Sequence, residues 1–150
     1  MKKLLTLLAL TITFSMNAQM DDNSANNNSA TGSSAVAMGE STTASGTAST
    51  AMGRNNTASG GYSTAMGRNN TASGLYSTVM GESTTASANY STAMGSYTTA
   101  SGTYSIGMGY HTTASDFASV VIGQYNSSGS SATSATSFST SNTAFVIGNG

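Results

Sequence analysis

Residues 49–60 read STAMGRNNTASG, and residues 63–74 read STAMGRNNTASG again, letter for letter. An identical stretch at an offset of 14 residues marks a copied structural unit, and the rest of the chain keeps the same spacing. Met-Gly stands at 38–39, 52–53, 66–67, 80–81, 94–95 and 108–109, and Ile-Gly takes the place at 122–123. Ala-Ser recurs at 44–45, 58–59, 72–73, 86–87, 100–101 and 114–115. Seven such units run from Ala35 to Ala132.

Fourteen residues also make about four helical turns, but the glycines and the frequent Thr and Ser of each unit disfavour a helix. Within the unit the pattern has period two. In AVAMG (35–39) and SVVIG (119–123) small residues alternate with larger or β-branched ones, and TASG alternates likewise. Two short strands and two tight turns fill one coil of a parallel β-solenoid, so the expected fold is all-β, with about seven 14-residue coils. Stacked coils advance by roughly 4.8 Å each.

The alternation assigns faces. Ala37, Ala51, Ala65, Val79, Ala93, Gly107 and Val121 form one row, and Ala44, Ala58, Ala72, Ala86, Ala100 and Ala114 another; side chains this small belong inside a thin coil. Met38, Met52, Met66, Met80, Met94, Met108 and Ile122 then point away from that interior as a continuous apolar stripe. Such a stripe is not normally left in water, and a coil filled with Ala and Gly buries little apolar surface against its ordering cost. Burial against symmetry mates would make up the difference, and closed rotational symmetry is the usual solution. The alternative for the Met row is ordinary packing within one chain.

Gly39, Gly53, Gly67, Gly81, Gly95, Gly109 and Gly123 are expected in a tight turn after the first strand, and Gly46, Gly60, Gly74 and Gly102 in the same role at the second corner. Ala88 and Asp116 stand in that second row and Gly107 stands in an interior row, so coils four to six are expected to be locally irregular. Tyr62, Tyr76, Tyr90 and Tyr104 are 14 apart and are expected to stack as a ladder, with a sugar-binding aromatic strip as the alternative.

The ends read differently. Lys2 and Lys3, an apolar run from Leu4 to Phe14 and small residues up to Ala18 have the layout of a secretory signal peptide, giving domain bounds of 1–18. Residues 19–34 are polar and low in complexity and are expected to form a flexible, disordered leader; residues 35–132 hold the repeats. Residues 133–150 read as an irregular insert followed by a further strand around Ile147-Gly148, and the chain stops at Asn149-Gly150 with no coiled-coil stalk and no outer-membrane barrel strands, as expected of a fragment of a longer surface protein. The 150 residues carry only 6% charged side chains, no proline and no cysteine. That excludes a disulfide framework and thiolate zinc. With the signal peptide removed, Arg54 and Arg68 face five carboxylates, which gives no electrostatic footprint for nucleic acid.

The pattern Ala-x-Gly-x-x-Ser-x-Ala-x-Gly, present as Ala58-Ser-Gly60-Gly-Tyr-Ser63-Thr-Ala65-Met-Gly67 and repeated, resembles the head repeat of YadA-like trimeric autotransporter adhesins, the Hep/Hag repeat. The resemblance covers about residues 35–132. It implies a left-handed parallel β-roll that trimerises and a non-enzymatic head that attaches to host matrix, cells or other surfaces. It further implies secretion across the inner membrane and display at the cell surface or outer membrane of a Gram-negative bacterium. By the same resemblance Val36, Val120 and the Met/Ile positions (Met38, Met52, Met66, Met80, Met94, Met108, Ile122) face the trimer centre. Met stands in six units where the family more usually has Ile, which makes that centre more pliable.

No catalytic, cofactor or metal site is expected. The one histidine, His111, sits in a variable turn without a partner base, the carboxylates are scattered, and no nucleophile elbow, phosphate loop or calcium nonapeptide occurs. Expected partners are two further copies of the chain and an extracellular matrix, cell-surface or polysaccharide ligand. The turn after Met-Gly carries each coil's identity, so Arg54, Arg68, Tyr97, Tyr110, His111 and Tyr125 are the candidate surface contacts. Two other readings remain: a structural spacer or fibre segment that projects another domain, and an ice-binding solenoid built on the Thr43, Thr57, Thr71, Thr85, Thr99 and Thr113 column with Ser in place of a second Thr column.

Overall fold

The computed structural model describes residues 20–21, 26–126, 135–137 and 143–149; the expected signal peptide lies outside them. The chain winds as a parallel β-solenoid. Each coil supplies one five-residue strand, as in Thr50–Arg54, Thr64–Arg68 and Thr78–Glu82, and one two-residue strand, as in Thr57–Ala58 and Thr71–Ala72. Among the described residues the eight five-residue strands and the two-residue Met20–Asp21 form a nine-stranded sheet, and the other short strands a seven-stranded sheet, each in coil order. Every pairing is parallel, with residue i opposite i+14 through the repeats, so Met52 faces Met66 and Ala58 faces Ala72.

The interior is as thin as the alanine rows demand. Ala37, Ala51, Ala65, Val79 and Ala93 on the long strands and Ala44, Ala58, Ala72, Ala86, Ala100 and Ala114 on the short ones are 0% exposed. On the long strands the flanking rows, Thr64 and Met66 for example, are half-buried and point outward.

The glycines between the strands serve two different purposes. Gly81 lies inside its five-residue strand with φ +126°, and a Cβ there would sit 1.9 Å from the Gly95 carbonyl oxygen. Gly60 has no positive φ; it is glycine because a Cβ would sit 2.0 Å from the oxygen of Gly74 in the next coil. The second row is therefore set by closeness of coils and not by a left-handed turn.

The left-handed positions are filled by other residues. At one corner Ser41, Asn55, Asn69, Ser83, Tyr97, His111 and Tyr125 have φ of 52–57°, and at the other Ala48, Tyr62, Tyr76, Tyr90, Tyr104 and Ala118 have φ of 51–62°. The cause is a reversal of hydrogen-bond direction. Strand residues donate to the following coil, as Thr64 N does to Ser77 O at 2.9 Å, whereas the corner residues donate to the preceding one, as Tyr76 N does to Gly61 O at 2.9 Å and His111 N to Ser96 O at 2.9 Å. The αL conformation turns the N–H around at a cost of about 1–2 kcal/mol for a residue with a Cβ.

A polar ladder runs through the core beside the alanines. Asn28, Thr42, Asn56, Asn70, Thr84, Thr98 and Thr112 are buried and share one row. Asn70 Nδ2 donates to the carbonyls of Met66 and Gly81, each at 2.7 Å, while its Oδ1 accepts from Thr84 N at 3.0 Å and Thr84 Oγ1 at 2.7 Å. The carbonyls of the positive-φ residues Gly39, Gly67, Gly81 and Gly109 turn inward, and this ladder satisfies them. Among the described residues the buried Oγ atoms of Ser49, Ser63, Ser77 and Ser105 have no such partner.

Two expectations are corrected. The segment 19–34 is not simply a leader: Met20–Asp21 pairs with the strand at Val36, and Ser29–Ala30 pairs with Thr43–Ala44. Asn28, Ala30 and Gly32 occupy the ladder, interior and close-contact positions of the repeat, in a stretch that lies ahead of the first Met-Gly. Coils four to six keep their register without interruption. At Gly107 the missing methyl is replaced by Thr98 Cγ2, which would lie 3.0 Å from an added Cβ, and at Ala88 the change is confined to the corner, where Ser91 Oγ donates to the Ala88 carbonyl at 2.6 Å. Beyond Val120–Gln124 the long sheet gains Phe145–Asn149, with Ile147 opposite Ile122, 25 residues on instead of 14.

Asn70→Ala is expected to destabilise the fold by about 3 kcal/mol by orphaning the Met66 and Gly81 carbonyls, whereas Ser63→Ala, which removes a buried hydroxyl without a partner, is expected to be neutral or stabilising by up to about 1 kcal/mol. Chemical denaturation of the three proteins checks the contrast. Ala48→Gly, at an exposed corner with φ 51°, is expected to raise stability by up to about 1 kcal/mol by relieving the αL strain, read as a higher melting temperature.

Candidate functional site

Because corner residues repeat every 14 positions and sit on outward αL turns, their side chains form columns along the two edges of the solenoid. On the edge after the short strands, Tyr62, Tyr76, Tyr90 and Tyr104 stack with ring centroids 4.8, 5.2 and 4.9 Å apart and planes within 13° of parallel. Phe117 closes the column edge-on against Tyr104 at 5.5 Å. This is the expected ladder. It does not suit a sugar-stacking strip, because both faces of Tyr76 and Tyr90 are covered by their neighbours and only edges face outward.

The opposite edge, after the long strands, divides in two. Its lower coils are charged and self-neutralising: Arg54 Nε lies 3.3 Å from Glu40 Oε2, and Arg68 pairs with Glu82. Beside them Asn55 Nδ2 donates to Asn69 Oδ1 at 3.1 Å. Both arginines are exposed, so these pairs add little stability, but each guanidinium already has a carboxylate.

The upper coils of the same edge are aromatic. Tyr97, His111 and Tyr125 stack face to face at 4.7 and 5.2 Å with planes 6° and 9° apart. Tyr110 stands at right angles to all three, with centroids 6.2 Å from Tyr97, 4.4 Å from His111 and 5.4 Å from Tyr125. A hydrogen bond between the Tyr110 and Tyr125 hydroxyls, reinforced by the repulsion between the two as they ionise, holds the Tyr110 phenol above its usual pKa. Tyr110 therefore stays protonated and uncharged through the neutral range.

Of the six surface contacts expected from sequence, the fold brings Tyr97, Tyr110, His111 and Tyr125 into one cluster and leaves Arg54 and Arg68 lower on that edge, engaged in ion pairs. Sequence reading treated the four as separate turn residues. The signal was available in the 14-residue spacing of 97, 111 and 125, but Tyr, His and Tyr do not look like one column until the stack is seen. Phe117 was missed because it has no aromatic neighbour in its own row. His111 is flanked by rings, and among the described residues no group of three or more His, Cys, Asp or Glu could hold a metal ion.

Comparison with known families fits this architecture. The profile of the YadA head domain repeat, which spans two copies of the unit, matches residues 30–56, 44–70, 58–81, 72–98 and 100–126. No curated protein and no solved structure gives a significant match. The matched spans cover the stacked coils from Ala30 to Asn126, including the Ser29–Gly32 coil that begins ahead of the first Met-Gly, and on that coverage the chain belongs to the YadA head domain repeat family.

Proposed function

We propose that this chain is the non-enzymatic head of a secreted trimeric adhesin, displayed at the cell surface or outer membrane of a Gram-negative bacterium. One observation carries the reading: a complete core of Ala, Val and Gly leaves a full-length column of Met and Ile pointing outward. Met38, Met52, Met66, Met80, Met94 and Met108 are half-buried and Ile122 is exposed, on the face opposite the fully buried row. Val36, Ile106 and Val120 lie beside them at the two ends of the sheet, with Thr between. Three such faces meeting on an axis would bury the stripe as an intersubunit core, with the corner columns left on the outside to meet a surface. The residues at 1–18 supply the export signal in this reading.

In sedimentation, the chain is expected at three times its monomer mass, and Met66→Asp with Met80→Asp is expected to reduce it to monomer. A wild-type chain that stays folded and monomeric across concentrations would remove the trimer. Binding of the chain to immobilised matrix proteins and to cells is expected to fall when corner residues are altered, in Arg54→Ala with Arg68→Ala or in Tyr97→Ala with Tyr125→Ala. Unchanged binding in both variants would make the solenoid a spacer.

A further inference from the structure

The orientation of Tyr110 follows from its neighbours. Both faces of the His111 ring are taken, one by Tyr97 and one by Tyr125. The perpendicular contact at 4.4 Å must therefore set the edge of His111 against the face of Tyr110, since two rings meeting edge to edge could not approach so closely. Tyr110 thus lies like a plate along the edges of the stack, with one face inward. It keeps 41% of its surface exposed, and its contacts with Tyr97, His111 and Tyr125 hold the ring in place. Its partners in register are Ser96 on one side and Gln124 on the other. No charged side chain stands in this part of the row; the next one below Ser96 is Glu82, already paired with Arg68.

We infer that Tyr110 is a platform for a neutral carbohydrate, with the outer face of its ring stacking on a pyranose ring and Ser96 and Gln124 bonding the sugar hydroxyls. This deepens the adhesin reading and rests on it. A rigid aromatic face flanked by an amide and a hydroxyl matches a ligand that is apolar on its ring faces and polar around its rim. An acidic glycan or a nucleic acid would need unpaired cations, and the arginines on this edge are both engaged. The tyrosine ladder on the other edge, whose ring faces are covered, serves as the internal control.

The test is calorimetric titration of the full chain with cellohexaose, maltohexaose, mannohexaose and a heparin hexasaccharide, with saturation-transfer NMR to map contact to the tyrosine rings. The expected result is binding of at least one neutral hexasaccharide and not of heparin, weakened about tenfold or more in Tyr110→Ala, held within about threefold in Tyr110→Phe, and unchanged in Tyr76→Ala. Circular dichroism and sedimentation matching wild type confirm that each variant is folded. Binding that survives Tyr110→Ala, binding of heparin alone, or no binding of any neutral sugar overturns the inference. A chain that adheres to surfaces yet binds none of these sugars leaves the adhesin reading standing; one that does neither ends both.

Discussion

The fold depends on how closely one coil lies on the next. At Gly60 and at Gly81 an added Cβ would sit 2.0 and 1.9 Å from a carbonyl oxygen of the following coil, far inside van der Waals contact, so two rows of backbone stack with nothing between them. That closeness is what allows alanine to fill the interior and what forces the in-register pairing of i with i+14. Once register is imposed, every row becomes a column of like side chains, and each column finds its own way to be stable. The alanines pack, the asparagines and threonines bond along the column, and the tyrosines stack for about 0.5–1.5 kcal/mol per pair.

Those columns show which parts of the structure could be read from the sequence. Rows identified by size and alternation, Ala37 to Val121 and Ala44 to Ala114, lie where the pattern puts them, and the Met row points outward as alternation requires. The Asn and Thr ladder was not legible. Asn56 and Asn70 sit in stretches that read as polar turns, and their burial follows only from the inward carbonyls of glycines whose φ cannot be known from composition. The αL corners were hidden for a related reason. Glycine is the usual residue there, and Tyr62 or His111 adopts the conformation because the N–H must reach back to the preceding coil.

The close-contact row itself changes in the last coil before the break in the 14-residue spacing. Asp116 stands in the close-contact row, where a Cβ at Gly102 would already meet the Asp116 carbonyl oxygen at 2.1 Å. Ala88 in that row is accommodated by a change of hydrogen bonding at one corner, whereas Asp116 is fully buried and its carboxylate turns to a backbone amide farther along the chain. Its Oδ2 accepts from Thr143 N at 3.0 Å, at the point where the chain returns to add Phe145–Asn149 to the long sheet. Among the described residues the short sheet ends at Thr113–Ala114, while the long sheet continues past it.

The division of one edge into charged and aromatic parts is then a matter of what each coil places on an otherwise constant corner. Substitutions at Arg54 or Tyr97 alter neither the close glycine rows nor the buried ladder, because Arg54 leaves the coil at the exposed end of its strand and Tyr97 on the exposed turn that follows. Surface chemistry can vary from coil to coil while the backbone beneath remains the same. In the lower coils the variable residues form ion pairs with one another, which leaves little charge to attract a partner. In the upper coils they form a rigid, uncharged aromatic cluster whose rings hold one another in place. Side chains ordered before contact lose less entropy on binding, so the aromatic part of this edge is better suited to recognition than the more numerous charged and polar corners below it.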